Sequence, residues 1–160
     1  MSSPLQEKRL IPTSEFMQAV KESVNMGYEA DFTVTGNSMW PLLAHGRDRV
    51  IIKKYSAEGI KKGDIILFEA VKDKYLLHRV MHVTPTAFVT TGDANTFEDG
   101  TFPKESIIGY VTHIIRKGKK IPINNFPLKI YTTFWISAFK FRGVLLKGIK
   151  LFIKIKNFIR

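Results

Sequence analysis

The alternation of apolar and polar positions divides the chain into three parts. Residues 13–26 carry apolar side chains at helical spacing and end at Gly27, which predicts an N-terminal helix. From residue 31 the period changes to two, with turn-forming residues between short apolar runs, and this predicts strands. The predicted strands are residues 32–35, 49–53, 64–69, 75–83, 88–91 and 107–115.

Six short strands joined by tight turns predict a mainly β protein. We expect a small, coiled antiparallel β domain whose edges are limited by closure or coiling, preceded by a helix and followed by a basic amphipathic helix. A chain of 160 residues suits one core. The expected division is a helical segment over 1–30, the β domain over 31–121 and a tail over 122–160.

Charge separates the tail from the rest of the chain. Residues 1–115 hold 13 Lys and Arg against all 14 Asp and Glu, whereas residues 116–160 hold 12 Lys and Arg and no acid. The basic character therefore belongs to the C-terminal segment, which would attract nucleic acid or an anionic membrane. No base-reading motif is visible, and large aliphatic residues lie between the cations, so nucleic acid is the less favoured partner.

The tail pattern favours a helix lying in an anionic membrane interface. Drawn as a helix, it places four lysines on one face, and Phe134, Trp135, Phe152 and Phe158 are expected to insert shallowly. The alternative is a helix packed on its own domain or on a partner. The apolar residues that occupy much of the remaining circumference are Phe141, Val144, Leu145, Ile149, Phe152, Ile155 and Ile159, and the lysines are Lys140, Lys147, Lys150 and Lys154. Arg142, Lys156 and Arg160 interrupt this segregation.

Several kinds of chemistry are excluded or disfavoured. The chain has no cysteine, so disulfides, thiolate zinc sites and cysteine nucleophiles are excluded. His78 and His82 would stand about 13 Å apart along a strand, which argues against a zinc pair. The acidic turn 92–99 lacks the complete oxygen pattern of a calcium loop. Neither a cofactor nor a metal is expected, and residues 1–11 carry no apolar run typical of a signal or anchor.

A serine on an irregular turn is the first candidate for catalysis. The segment Gly-Asn-Ser-Met-Trp-Pro at 36–41 interrupts the first strand and exposes Ser38 on a turn. The same serine could merely bond to its own backbone. As a nucleophile it would need a base, for which His45, His78, His82, His113 or a desolvated lysine are candidates.

His78 and the turn 92–99 supply the remaining candidates. Strand alternation puts His78 on one face with Leu76 and Val80, where an apolar setting disfavours imidazolium and favours a ring that accepts a proton. A half-buried structural histidine explains the same pattern. Asp93 and Asp99 lie in the turn after the fifth strand, where acids are also ordinary turn formers.

Taken together and in order, four segments resemble the signal peptidase I and LexA-type serine peptidase superfamily. The segments are Gly-Asn-Ser-Met-Trp-Pro (36–41), Lys-Gly-Asp-Ile-Ile-Leu-Phe (62–68), Leu-His-Arg-Val (77–80) and Thr-Gly-Asp-Ala-Asn (91–95). A histidine where the lysine-dependent branch has its general base makes the chain similar to the histidine-dependent branch typical of archaea and the endoplasmic reticulum. The resemblance covers residues 32–116 and implies the β fold of that superfamily.

The resemblance also implies roles for individual residues. Ser38 would be the nucleophile and His78 the base, with Asp99, six residues after Asp93, as the best match to the acid that orients His78. Asp93 matches the acid of the Gly-Asp-Asn turn and could instead hold the site together. Two features depart from the family. Gly36 stands where many members have a serine in the oxyanion hole, and residues 1–30 are not expected to form the N-terminal spanning helix usual in signal peptidases.

The expected function is a membrane-associated serine endopeptidase that cleaves leader or signal peptides from preproteins through an acyl-enzyme. Its localisation would be peripheral, through the C-terminal helix. A self-cleaving LexA-like peptidase, an inactive scaffold, or a basic module that binds nucleic acid or membranes are the alternatives. Because the proposed catalytic residues all precede the tail, truncation after Asn125 is expected to release the protein from vesicles and leave Ser38 reactive.

Overall fold

A computed structural model describes residues 13–55 and 59–158 of the chain. The expectation for residues 1–11, and the placement of Ile159 and of Arg160 on the tail helix, lie outside the described residues. Helix α1 (Thr13–Asn25) buries Val20 and Val24, one helical turn apart, against β1 and β7. It is followed by Gly27 with φ of 89°, a conformation that favours glycine. The predicted N-terminal helix is confirmed.

Within residues 13–55 and 59–158, eight strands form one antiparallel sheet, which confirms the predicted mainly β fold. Their order across the sheet is β1-β2-β7-β3-β4-β5-β6, and β8 pairs with β7. The described strands thus form an open path with β1 and β6 at its ends. The strands are β1 (Ala30–Thr33), β2 (Asp48–Lys53), β3 (Ile65–Val71), β4 (Lys74–Val83), β5 (Ala87–Thr91), β6 (Thr101–Pro103), β7 (Ile107–Arg116) and β8 (Lys119–Pro122).

Strand β7 joins the two halves of the sheet. One of its edges pairs with β2, and its other edge pairs first with β3, as in Ile66 opposite Tyr110, and then with β8, as in Ile114 opposite Ile121. Strand β4 lies between β3 and β5, with Arg79 opposite Thr91. This pairing brings the loop after β5 beside the middle of β4.

The sheet and α1 enclose two apolar clusters, and one of them fixes the turn that carries Ser38. In the first, Met39 and Leu43 from that turn pack with Val24, Ile52 and Val111. Both turn residues are almost completely buried. Ser38 is therefore held in place by its neighbour in the chain. The second cluster is largely aromatic and contains Phe68, Phe88 and Phe102.

Two helices and a short 3₁₀ turn follow the sheet within the described residues, where the sequence predicted a basic amphipathic helix. Helix α2 (Phe126–Ser137) begins at Asn125, whose side-chain oxygen accepts a hydrogen bond from the Leu128 N–H at 2.9 Å. Pro127 in the first turn suits this start. The 3₁₀ turn Phe139–Phe141 then redirects the chain into helix α3 (Arg142–Phe158).

The first part of this segment packs on the β domain and the last part does not. Trp135 is 3% exposed, and Arg142 and Leu146 are also buried, so the expectation that Trp135 inserts into a membrane was wrong. Residues 151–158 of α3 are exposed without exception. The alternative of a helix packed on its own domain is therefore correct for the part of the tail that contains Trp135, Arg142 and Leu146, and membrane association of residues 151–158 stays a prediction. Among the described helices, none is long and apolar enough to cross a bilayer.

Candidate active site

The Ser38 side chain lies on the turn after β1, between a constrained glycine and a buried methionine. Gly36 has φ of 78°, and its N–H donates a hydrogen bond to Nδ1 of His45 at 3.1 Å. Met39 anchors the other side in the core. Ser38 itself is half-buried, so its hydroxyl is held in position and remains accessible.

His78 connects Ser38 to Asp99 through both ring nitrogens. Its Nε2 lies 2.9 Å from Ser38 Oγ, and its Nδ1 lies 2.6 Å from Asp99 Oδ2. The residue is 4% exposed, so water cannot easily compete for either contact. With Nδ1–H donating to the carboxylate, Nε2 is left as the acceptor for the serine proton.

The Asp99 carboxylate is oriented by Thr90 at the end of β5. Thr90 Oγ1 donates to Asp99 Oδ2 at 2.9 Å, and the Asp99 N–H donates to the Thr90 carbonyl at 2.8 Å. Thr90 is fully buried. The same carboxylate oxygen therefore accepts from both Thr90 and His78, which fixes the imidazole ring in its plane.

The loop after β5 also contacts the backbone of Ser38 directly. The Ala94 N–H donates to the Ser38 carbonyl at 2.7 Å. A Cβ added at Gly92 would lie 2.5 Å from that carbonyl oxygen, so only glycine fits at this position. Residues 92–95, which we call the Gly92 loop, therefore pack against the backbone of the turn that carries Ser38.

Asp93, the second acid singled out from the sequence, lies in a different network from His78. Its two carboxylate oxygens accept hydrogen bonds from Arg79 Nε at 2.7 Å and from Arg79 Nη2 at 2.8 Å. Both side chains are fully buried. Burial alone would lower the pKa of Arg79, but the charge and hydrogen bonds of Asp93 outweigh it and raise that pKa. The geometry makes Asp93 a structural anion of the Gly92 loop.

Side chains of the C-terminal helices α2 and α3 donate hydrogen bonds to the Gly92 loop. Tyr131 Oη donates to Asp93 Oδ2 at 3.2 Å, and Trp135 Nε1 donates to the Asp93 carbonyl at 3.1 Å. Arg142 Nη1 donates to the carbonyls of Gly92 and Asn95, each at 3.1 Å. Burial, together with the Asp93 charge, raises the pKa of Tyr131 far above its usual range, so the hydroxyl keeps its proton.

Sequence reasoning missed Tyr131, Trp135 and Arg142 as supports of the site. The available signal was the pair of aromatic residues at 131 and 135, one helical turn apart in the uncharged run from residue 131 to residue 139. An arginine that interrupts an apolar face was a second signal, because a buried guanidinium needs acceptors. Here the acceptors are backbone carbonyls, including that of Trp135 at 3.2 Å.

The other three histidines contact groups other than Ser38 Oγ. His45 accepts from the Gly36 N–H, His82 pairs on the surface with Glu98 at 3.3 Å, and His113 contacts Thr112 at 3.0 Å. Of the candidate bases proposed from the sequence, His78 is the one within hydrogen-bond distance of the serine hydroxyl. The described geometry therefore joins Ser38, His78 and Asp99 and separates Asp93 from them.

Comparison of the chain with protein-family models gives no match, and comparison with curated proteins gives none either.

Proposed function

We propose that this protein is a serine endopeptidase of signal-peptidase type, which cleaves leader or signal peptides from preproteins. The observation that carries the proposal is the unbroken chain of hydrogen bonds from Ser38 Oγ through His78 to Asp99. A serine hydroxyl is a weak nucleophile unless an adjacent base takes its proton, and a third group must orient that base. The substrate class comes from the resemblance of the four segments to signal peptidases.

In the first half of the proposed reaction, Ser38 Oγ attacks the scissile carbonyl carbon and His78 Nε2 takes the hydroxyl proton. Asp99 stabilises the imidazolium that forms. The backbone N–H of Ser38, which donates to no other group among the described residues, supplies a hydrogen bond to the developing oxyanion. When the C–N bond breaks, His78 returns the proton to the leaving amine.

In the second half, water hydrolyses the ester on Ser38. His78 Nε2 takes a proton from the attacking water and returns it to Ser38 Oγ as the C–O bond breaks. The cycle needs no redox partner, and each proton passes through one ring nitrogen. Because Nδ1 stays bonded to Asp99 throughout, the ring keeps the tautomer that the next turnover requires.

Labelling of Ser38 by a serine-directed fluorophosphonate tests the catalytic proposal. The wild-type protein is expected to gain one covalent adduct, located at Ser38 by peptide mass spectrometry, because His78 activates this hydroxyl. Ser38→Ala is expected to remain unlabelled. Ser106→Ala is a matched control, because Ser106 Oγ donates to the Pro103 carbonyl on the surface and has no histidine partner among the described residues. An equal yield of adduct on wild type and Ser38→Ala contradicts the proposal.

We further propose that helix α3 attaches the enzyme to an anionic membrane surface. Val144, Leu151, Ile155 and Phe158 recur at helical spacing along one side of α3, and each is 49% exposed or more. Lys147 and Lys154 flank this stripe, and residues 116–160 contain no acid. An exposed apolar stripe bordered by cations has the chemistry of a helix that lies in a membrane interface.

Replacing the two flanking lysines is expected to weaken vesicle binding by about 30-fold in Lys147→Gln/Lys154→Gln. Each cation near an anionic surface contributes about 1 kcal/mol, so the loss of two corresponds to this factor. Binding is measured by co-sedimentation with phosphatidylserine-containing vesicles. The control is Lys72→Gln/Lys74→Gln, which makes the same charge change on the exposed β3–β4 hairpin. Equal weakening by both double variants would mean that net charge, and not α3, governs binding.

A further inference from the structure

A cavity of about 410 Å³ lies beside the nucleophile, and helix α3 forms one of its walls. Its lining comes from three parts of the chain that are distant in sequence. Asn37 and Trp40 belong to the Ser38 turn, and Ala94 belongs to the Gly92 loop. The third contribution comes from α3, through Lys150 and Ile153.

Three of the residues that line the cavity are neighbours of Ser38 in sequence or through a hydrogen bond. Asn37 directly precedes Ser38, and Ala94 is the residue whose N–H donates to the Ser38 carbonyl at 2.7 Å. Trp40 follows Ser38 by two residues and is half-buried. An extended substrate with its scissile carbonyl at Ser38 Oγ advances about 3.3 Å per residue on either side of the bond, so we expect the side chain directly after the scissile bond to come within reach of this space.

The lining determines which side chains the cavity would accept. The Trp40 indole, the Ala94 methyl group and the Ile153 side chain form an apolar surface, and the cavity volume is ample for one large apolar side chain. Lys150 Nζ stands 5.9 Å from the centre of the Trp40 ring, which places one cation at the edge of that surface. Among the described residues, none of those that line the cavity is acidic and could compete for the ammonium group.

We infer that this cavity is a side-chain subsite of the peptidase, which binds a bulky apolar residue of the substrate next to an acidic one. The apolar side chain packs between Trp40 and Ile153, and the neighbouring carboxylate pairs with Lys150. This inference rests on the proposed function, because it assigns a subsite to the same Ser38. It gives α3 a second role, since the helix then contributes directly to substrate selection.

The test compares pairs of internally quenched peptides in the absence of lipid. Both members of a pair carry Ala at the first and third positions before the cut and Phe directly after it. They differ only at the residue that follows the Phe, which is Glu in one peptide and Lys in the other. Wild type is expected to favour the Glu peptide by about fivefold in kcat/KM, the size of an exposed ion pair. Lys150→Glu is expected to reverse the preference, and Lys150→Gln to abolish it.

The matched control is Lys156→Glu, which makes the same charge change elsewhere on α3 and is expected to keep the wild-type preference. The apolar half is tested with Ile153→Trp, which fills the cavity and is expected to lower the ratio of kcat/KM for Phe over Ala at the same position by about tenfold. Because each readout is a ratio between two substrates of one variant, a general change in activity does not imitate the result.

Two outcomes distinguish failure of this inference from failure of the proposed function. Wild-type protein that is not labelled at Ser38 by the fluorophosphonate overturns the peptidase and the subsite together. The subsite alone is overturned if wild type is labelled at Ser38 but shows no preference for the Glu peptide. It is also overturned if Lys150→Glu keeps the wild-type preference. If Lys150→Glu changes vesicle binding while the peptide ratios stay at the wild-type values, the cavity faces lipid and the subsite assignment is wrong.

Discussion

Replacing His78 with alanine is expected to lower the rate of peptide hydrolysis by on the order of 10⁶-fold. Without the imidazole, the Ser38 hydroxyl has no acceptor for its proton at 2.9 Å, and the leaving amine has no donor. Ser38→Ala is expected to cost about as much. The double variant is expected to be scarcely slower than either single one, because the two residues act as one unit. The measurement is hydrolysis of an internally quenched leader peptide under single-turnover conditions.

Asp99→Asn provides the graded control for this unit. The asparagine can keep the packing next to Thr90, but it no longer stabilises the imidazolium, and a loss of about 10⁴-fold is expected. Circular dichroism should show an unchanged fold in all of these variants. If the Ser38→Ala and His78→Ala losses multiply in the double variant, the two residues act independently and the proposed relay between them is wrong.

The strands were predictable from the sequence because their apolar positions are buried by neighbours in the same sheet. The predicted strand over 107–115 became β7 (Ile107–Arg116), and that over 75–83 became β4 (Lys74–Val83). Strands β6 and β8 were missed, since three or four residues are too few to show a period of two. Each also ends in proline, which argues against a strand when it is read alone.

The candidate site was reached only through the joint resemblance of four segments. No local pattern predicts that Ser38, His78 and Asp99 lie in contact. Ser38 and His78 are 40 positions apart in the sequence, and His78 and Asp99 are 21 apart. The choice between Asp93 and Asp99 had to stay open for the same reason. The register of β4 on β5 distinguishes the two acids, because it places Arg79 in contact with Asp93 and His78 in contact with Asp99.

The tail shows where sequence patterns are ambiguous in principle. A stripe of apolar residues bordered by lysines has the same spacing whether it packs on a sheet or lies on a membrane. Trp135 was assigned to the membrane and is instead buried beneath the Gly92 loop, where its indole N–H finds the Asp93 carbonyl. The buried Arg142 was read as an interruption of the pattern, yet it binds three backbone carbonyls.

These contacts reverse the expectation that a chain cut after Asn125 keeps a reactive Ser38. The cut removes α2, exposing the buried surface under Trp135, and burial of such a side chain is worth about 3–5 kcal/mol. It also removes Tyr131 and Arg142 from the Gly92 loop and opens the buried Arg79–Asp93 pair to water. Domains of this size have free energies of unfolding of about 5–15 kcal/mol, so the truncated protein is expected to be largely unfolded.

A second truncation separates the two roles of the tail. A chain ending at Lys147 keeps α2, Arg142 and the buried Leu146, and loses the part of α3 whose residues from 151 onward are exposed. Its midpoint of urea unfolding is expected to stay close to that of the full chain, while its binding to anionic vesicles is lost.

If the chain ending at Asn125 unfolds at the same urea concentration as the full chain, α2 contributes nothing to the stability of the domain. The proposed support of the Gly92 loop by Trp135 and Arg142 must then be abandoned. Unfolding of the shorter chain alone would place the boundary of the folded unit between Asn125 and Lys147, with only the distal part of α3 free to attach the protein to a membrane.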